Sequence, residues 1–193
     1  MLWDDFLKSD YHDWRGSGHS EDRLDKPGWL EQLLAIHNLP YSGAPSAEEL
    51  DDLKRLRGHM LRIVQKLTAS ESADPADLEG LNRALSGGPI ILRIAESDSG
   101  YRMESTPLRA GWFRIGAEVA ASFGRILAEG EPSRLRICGN PDCLVVYYDE
   151  TRNRSKRFCD DKVCGNLMKV RRFRARQKAA KTGGSSIHGV SET

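Results

Sequence analysis

The cysteines of this chain lie in one short segment, and their spacing constrains its fold more than any other feature. The pattern is Cys138-x4-Cys143, fifteen residues, and then Cys159-x4-Cys164, with no cysteine elsewhere in the 193 residues. Two closely spaced pairs separated by an insert of hairpin length suit a tetrahedral site, in which four thiolates converge on one zinc ion at about 2.3 Å. The spacing therefore predicts that Cys138, Cys143, Cys159 and Cys164 bind one structural Zn²⁺.

Two other interpretations of the cysteines are open. Two disulfides would require an oxidising compartment. Residues 1–6 have neither a basic region nor the apolar core of a signal peptide, so we expect a cytoplasmic protein and not a secreted one. Four buried or inert thiols are the second alternative, but random placement would rarely group them in this way. Zinc is therefore the prediction.

The charge of the chain is strongly asymmetric. Residues 134–181 hold 14 basic and five acidic residues, a net charge of +9, whereas the remainder holds 15 basic and 23 acidic residues, a net charge of −8. Such a division favours nucleic-acid or membrane binding by the basic part. No run approaches the 18 apolar residues that a membrane span needs, so we expect no membrane partner.

The apolar periodicity predicts an α+β fold in which the N-terminal domain is mostly helical. Helices are predicted from Pro27 to about Asn38, over residues 47–69 behind a capping box of Ser46 and Glu49, from Pro75 to Gly87, and over residues 108–129. A β-hairpin is predicted over residues 90–105. The break at residues 130–132 divides the chain into a domain of residues 1–131 for sensing or dimerisation, a zinc finger of residues 132–181, and a flexible tail of residues 182–193.

The segment around the cysteines predicts a treble-clef-like zinc finger. A short strand leads to a knuckle that contains Cys138 and Cys143, and β-forming residues follow from Leu144 to Tyr148. Asp160 or Asp161 can cap a helix that runs to about Lys181, which places the last cysteine in its first turn. Thiolates near a helix N-terminus gain from its partial positive charge.

The predicted C-terminal helix carries basic residues without any acidic ones. Its apolar stripe consists of Val163, Leu167, Val170 and Phe173, and two basic rows flank that stripe. A lone arginine is normally a solvated surface charge, but an unbroken basic run repels itself, and a polyanion would relieve that repulsion. The predicted nucleic-acid contacts are Arg152, Arg154, Lys156, Arg157, Lys169, Arg171, Arg172, Arg174, Arg176 and Lys178.

The residues of this segment resemble a known family. Residues 152–159, 164–167 and 169–176 resemble the CGNR zinc-finger family, and Asp13-Trp14-Arg15-Gly16 with the helices after it resembles its companion ABATE domain. The resemblance implies a bacterial transcription regulator with a treble-clef-like DNA-binding element. Leu167 stands where the family motif has Arg, so no contact of that Arg is carried over to this chain.

The N-terminal loop contains a polar cluster with two interpretations. Its members are His12, Asp13, Arg15, His19, Glu21 and Asp22. His12, Asp13 and Arg15 are the candidates for binding a small-molecule effector or a second metal. A solvated loop around a buried Trp14 is the interpretation we favour, because no ligand spacing or nucleophile–base motif accompanies these residues.

The leading functional hypothesis is a zinc-dependent DNA-binding regulator that is not an enzyme. The chain has no Walker loop, no GxSxG and no HExxH motif. Three alternatives stay open: a module that binds RNA, a module that binds protein, and an enzyme with its site in the N-terminal domain. A homodimer is also possible.

Overall fold

The computed structural model describes residues 1–88, 90–107 and 111–183. These residues form six α-helices and three two-stranded antiparallel hairpins, which confirms the predicted α+β class. The helices are α1 (Leu2–Leu7), α2 (Trp29–Ile36), α3 (Ala47–Thr68), α4 (Pro75–Ser86), α5 (Trp112–Ala128) and α6 (Asn166–Gly183). The hairpins pair β1 (Asp10–His12) with β2 (Ser20–Asp22), β3 (Ile90–Ser97) with β4 (Gly100–Pro107), and β5 (Leu135–Ile137) with β6 (Val146–Tyr148).

The predicted start of the long helix α3 is confirmed by its hydrogen bonds. The backbone N–H of Glu49 donates to Ser46 Oγ over 3.2 Å, and the N–H of Ser46 donates to Glu49 Oε2 over 2.8 Å. This reciprocal capping box satisfies two N–H groups that have no partner inside the helix. At 22 residues, α3 is about 33 Å long and crosses the whole domain.

The main hydrophobic core lies between α1, α3 and α5 and also includes the hairpin β5–β6. Trp3, Met60 and Phe123 are fully buried in it. Leu135 of β5 and Val146 of β6 belong to the same core and are 1 % and 4 % exposed. The hairpin that begins the cysteine-containing segment therefore packs on the helices of the N-terminal part. The predicted division of the chain at residues 131 and 132 stays a prediction.

The hairpin β3–β4 is amphipathic, and its apolar face is exposed. Ile94 pairs with Met103 and Glu96 pairs with Tyr101, which places alternate residues of both strands on one face. Ile94 is 74 % exposed, and Tyr101 is 78 % exposed. Within residues 1–88, 90–107 and 111–183, no helix combines the length and the apolarity needed to cross a bilayer.

Three predicted elements differ from the structure in their details. The second finger strand begins at Val146, because Leu144 has a left-handed backbone with φ of 55°. No strand forms at residues 156–158, so β5 pairs with β6 and the treble-clef topology stays a prediction. Helix α5 begins at Trp112, and the predicted start at residues 108–110 lies outside the described residues, as do residues 184–193 of the predicted flexible tail.

Candidate metal centre and nucleic-acid interface

The four cysteines converge in the structure as the spacing predicts. Their sulfur atoms all lie within 4.8 Å of one another, and they are the only such group of metal-ligating side chains among the described residues. Cys143 Sγ lies 3.7 Å from Cys159 Sγ, which lies 3.9 Å from Cys164 Sγ. Four sulfurs at about 2.3 Å from one ion lie about 3.8 Å apart in a tetrahedron, so the arrangement fits Zn²⁺. All four cysteines are free thiols, which excludes the two-disulfide interpretation in this structure.

The first pair is presented by a tight knuckle after β5. The backbone N–H of Cys138 donates to the carbonyl of Val145, and that of Cys143 donates to the carbonyl of Asn140. The N–H of Gly139 donates to the carbonyl of Arg157 over 2.8 Å, so the knuckle is joined directly to the segment that leads to Cys159. A Cβ at Gly139 would lie 2.9 Å from that carbonyl oxygen, and only glycine therefore permits this close approach.

The second pair is presented at the start of the C-terminal helix. Asp160 Oδ1 accepts from the backbone N–H groups of Lys162 and Val163 over 2.7 and 2.9 Å, so Asp160 is the capping residue. One wide helical turn, Asp161–Gly165, then places the 1 %-exposed Cys164 in the cluster before α6 begins. Because α6 starts two residues after Cys164, a metal ion held by the four cysteines would fix the start of the helix.

Without a bound cation, the hydrogen-bonded thiols of Cys138, Cys143 and Cys159 do not all ionise together. Hydrogen bonds from the thiols of Cys143 and Cys159 lower the pKa of Cys138, and the same bonds raise the pKa of Cys143 to about 12 and also raise that of Cys159. Four thiolates can therefore coexist only when a cation balances their charge, and binding that cation releases protons. A closed set of four thiolates suits a structural ion and leaves no position for a catalytic water.

Asn140 links the cysteine cluster to the N-terminal loop. Its side chain is fully buried, and Nδ2 donates to the carbonyl of Trp14 over 2.8 Å and to Cys164 Sγ over 3.5 Å. Trp14 itself packs against the apolar cluster that surrounds the cysteines. Asn140 thereby connects the β1–β2 loop by hydrogen bonds to one of the four clustered cysteines. Sequence reasoning did not identify Asn140, because an Asn before Pro141 reads only as a turn residue.

Replacing Asn140 with Ala tests this link. We expect the free energy of unfolding to fall by about 1–3 kcal/mol, because the carbonyl of Trp14 and a buried sulfur both lose their donor. The matched control is Asn166→Ala, since Asn166 is exposed and donates only to the carbonyl of Lys162. That change should cost less than about 0.5 kcal/mol. Urea unfolding measures both variants, and equal effects would contradict the assigned role.

Arg171 makes a second link between the same loop and the finger. Its guanidinium donates to Asp142 Oδ2 over 2.5 Å and to the carbonyl of Arg15 over 2.8 Å. A Cβ at Gly16 would lie 2.7 Å from Arg171 Nη2, and the φ of 86° at this residue also favours glycine. The backbone of the Trp14-Arg15-Gly16 segment therefore packs against the finger at Arg15 and Gly16.

Two family models together match nearly all of the described chain. The ABATE model, described as "Putative stress-induced transcription regulator", matches residues 2–130. The CGNR zinc finger model matches residues 134–177. The chain belongs to the ABATE family. The predicted resemblance is confirmed for both segments, and the clustered cysteines within a zinc-finger match support zinc as the metal. No curated protein matches the chain.

The predicted polar cluster lies on the hairpin β1–β2 of the ABATE part. Several of its residues form hydrogen bonds or ion pairs within the chain. Asp22 accepts two hydrogen bonds from the guanidinium of Arg57 on α3, over 2.6 and 2.5 Å. Burial opposes ionisation of Asp22, but these bonds lower its pKa overall. His12 Nε2 lies 3.2 Å from Asp10, and Asp13 Oδ1 accepts from the N–H of Arg15. An effector or metal site at His12, Asp13 and Arg15 stays a prediction.

The basic residues of the CGNR finger differ in whether their side chains contact other residues of the chain. Arg154 forms an ion pair with Glu131, and Lys156 lies over the ring of Tyr147. Every residue from 172 to 180 is exposed, so the second half of α6 stands clear of the rest of the described chain. The predicted apolar stripe is buried only in part, because Val170 is 45 % and Phe173 is 55 % exposed. The exposed basic side chains on the helix are Lys169, Arg172, Arg174, Arg176 and Lys178, and those before it are Arg152, Arg154, Arg157 and Lys162.

Proposed function

We propose that this ABATE protein is a zinc-dependent regulator of transcription that binds DNA through α6. One observation carries the proposal: a helix without acidic residues begins directly at the cysteine cluster and presents its basic side chains to solvent. The description of the ABATE family as a transcription regulator supports the same conclusion. One zinc ion per chain would hold the N-terminus of α6 in place and would have no catalytic role.

The role that we assign to each basic residue follows from its contacts. The side chains of Arg174 and Arg176 form no ion pair or hydrogen bond with the described residues, and we assign them to phosphate contacts together with Lys169, Arg172 and Lys178. Arg171 is a positioning residue, because it already binds Asp142 and the carbonyl of Arg15. Arg152 and Arg157 lie in the loop that leads to Cys159 and extend the same charged surface. Arg154 would join them only if DNA displaced Glu131.

Duplex DNA fits this helix better than the two other partners do. Eighteen residues give α6 a length of about 27 Å, and an α-helix fits the major groove of B-DNA, which is about 12 Å wide. A-form RNA has a narrow major groove that side chains cannot read. An acidic protein surface is the remaining alternative, but helix-binding grooves of proteins take the apolar face of an amphipathic helix, whereas the second half of α6 exposes mainly basic side chains.

A competition experiment tests the proposed partner. We expect the zinc-loaded protein to bind a 20-base-pair DNA duplex more tightly than an RNA hairpin of equal length. The logarithm of the DNA association constant should fall with the logarithm of salt concentration with a slope of about −4.5, because the five residues assigned to phosphate contacts neutralise about five phosphates. Fluorescence anisotropy at several salt concentrations measures both quantities. Tighter binding of the RNA, or an affinity for DNA independent of salt, would contradict the proposal.

Four further parts of the hypothesis are also proposals. We propose a cytoplasmic location, because a reducing compartment keeps four free thiols from forming disulfides. A non-catalytic role is supported by the family description. A homodimer and a small-molecule effector are the remaining two.

A further inference from the structure

The outer face of α6 carries three side chains without charge, which form the outer stripe of the helix. They are Val170, Phe173 and Gln177, and their spacing of three and four residues places them on one face. Val170 and Phe173 are about half exposed, and Gln177 is also exposed. The side chain of Gln177 forms no hydrogen bond with the described residues. The outer stripe therefore presents two apolar groups and one amide to solvent.

The opposite face of α6 is the one that packs against the finger. Met168 packs on the apolar cluster around the cysteines, and Arg171 is bound to Asp142. Each residue turns an α-helix by about 100°, so Gln177 lies about 180° around the helix from Met168, and Phe173 lies about 160° from Arg171. The outer stripe is therefore the part of α6 that a partner of this helix meets first.

Basic side chains border the outer stripe on both sides. The same helical geometry places Arg172 and Arg176 on one side of it, and Arg174 and Lys178 on the other. All four residues are exposed. A helix that binds in the groove of a protein presents a broader apolar face, with anchors at i, i+3, i+4 and i+7. Two apolar side chains between two positive rows favour a polyanion as the occupant of this face.

The major groove of DNA has the chemistry that matches this face. A helix with a diameter of about 10–12 Å enters a groove about 12 Å wide, so one face meets the base edges while both flanks meet phosphates. Base edges carry sequence information, whereas phosphates do not. In this groove Gln pairs with N6 and N7 of adenine, and apolar side chains contact the methyl group of thymine. The outer stripe has no Arg or Lys, which are the usual partners of guanine.

We propose that the outer stripe reads A·T base pairs in the major groove, while the basic residues beside it bind the two phosphate backbones. Val170 and Phe173 contact thymine methyl groups. Gln177 donates from Nε2 to N7 of an adenine and accepts at Oε1 from its N6 amino group. Val170 and Gln177 are separated by a rise of about 10 Å along the helix, which spans about three base pairs. This inference rests on the proposed DNA binding by α6 and adds its sequence preference.

Replacement of thymidine by deoxyuridine isolates one of these contacts, because only the methyl group is lost. Three 20-base-pair duplexes share their flanks, and their central eight pairs are A·T in mixed order, the same order with deoxyuridine, or G·C. Fluorescence anisotropy measures their affinity for the full zinc-loaded chain. We expect the thymine duplex to bind at least about tenfold more tightly than the G·C duplex. It should bind about fourfold more tightly than the deoxyuridine duplex for each methyl group contacted.

Variants of α6 assign the contacts to individual side chains. Val170→Ala/Phe173→Ala should bind the thymine and deoxyuridine duplexes equally, because the methyl groups then lose their apolar partners. Gln177→Ala should weaken binding of both A·T duplexes about fivefold or more and leave the G·C duplex unchanged. Arg176→Ala is the matched control next to Gln177, and it should weaken all three duplexes by the same factor and reduce the salt slope by about one unit. Zinc content and helicity are measured for each variant.

The outcomes separate this inference from the proposed function. Equal affinity for all three duplexes, with the salt dependence intact, would overturn the base-reading role and leave DNA binding by α6 in place. A preference for thymine over deoxyuridine that persists in Val170→Ala/Phe173→Ala would also overturn it. If the unmodified chain binds none of the duplexes, the proposed function and this inference are both contradicted.

Discussion

Replacing Cys159 with Ser is expected to reduce the zinc content from about one ion per chain to near zero. A serine hydroxyl is a poor replacement for a thiolate, and the three remaining thiols are too few for a closed site. Zinc binding at such sites supplies folding free energy of about 10–16 kcal/mol, so its loss should unfold the segment that depends on it. Elemental analysis measures the zinc, and hydrogen exchange measures which backbone amides lose protection.

The structure predicts where the unfolding of Cys159→Ser should stop. Residues 138–144 and 156–183 should exchange rapidly, since the cysteine cluster holds the knuckle and the start of α6. Leu135 and Val146 are buried against the helices, so the hairpin β5–β6 should retain part of its protection. Ser155→Ala is the matched control, because Ser155 is exposed and lies four residues before Cys159. Full zinc content or unchanged protection in Cys159→Ser would show that the metal site is wrong.

The elements that sequence predicted correctly are those with strong local signals. The capping box at Ser46, the Asp74-Pro75 start of α4 and the turn after Ser97 all occur where local chemistry dictates them. The cysteine spacing likewise predicted the metal cluster, because four thiols in two closely spaced pairs have few other structural roles. These features depend on neighbours within a few residues, which are visible in one sequence.

The elements that sequence did not predict depend on partners far along the chain. Helix α1 has six residues and is too short to show a period, yet Trp3 and Phe6 are buried by packing on α5 and the rest of the core. The hairpin β1–β2 has strands of three residues and is held by Asp22 binding Arg57, 35 residues away. Neither partner can be read from the local pattern.

The charge pattern and the break at residues 130–132 predict a division into two modules, which stays a prediction, and the structure shows contacts between the two parts. Leu135 is buried in the core of the N-terminal part, and Asn140 and Arg171 bind backbone carbonyls of the β1–β2 loop. The loop sequence Trp14-Arg15-Gly16 thereby has a structural explanation, since it contacts the finger through the Trp14 side chain and through the backbone carbonyls of Trp14 and Arg15. A single sequence shows these residue types without showing that they meet.

The affinity of α6 variants for duplex DNA is the direct test of the proposal that the protein binds DNA through this helix. The variant Arg172→Ala/Arg174→Ala/Arg176→Ala removes three exposed charges from α6 and leaves the cysteines and Arg171 in place. At a salt concentration of about 0.1 M, each lost phosphate contact costs about a factor of eight, so affinity should fall about 10²–10³-fold and the salt slope by about three units. The control Arg93→Ala/Arg125→Ala removes exposed charges from the ABATE part.

Fluorescence anisotropy of a labelled 20-base-pair duplex, with zinc content measured on the same samples, is the decisive measurement. We expect the α6 variant to keep its zinc and to lose affinity and salt dependence together, while the control behaves as the unmodified protein does. If the α6 variant retains its zinc and binds the duplex with unchanged affinity and slope, α6 is not the DNA-binding element and the proposed function is contradicted.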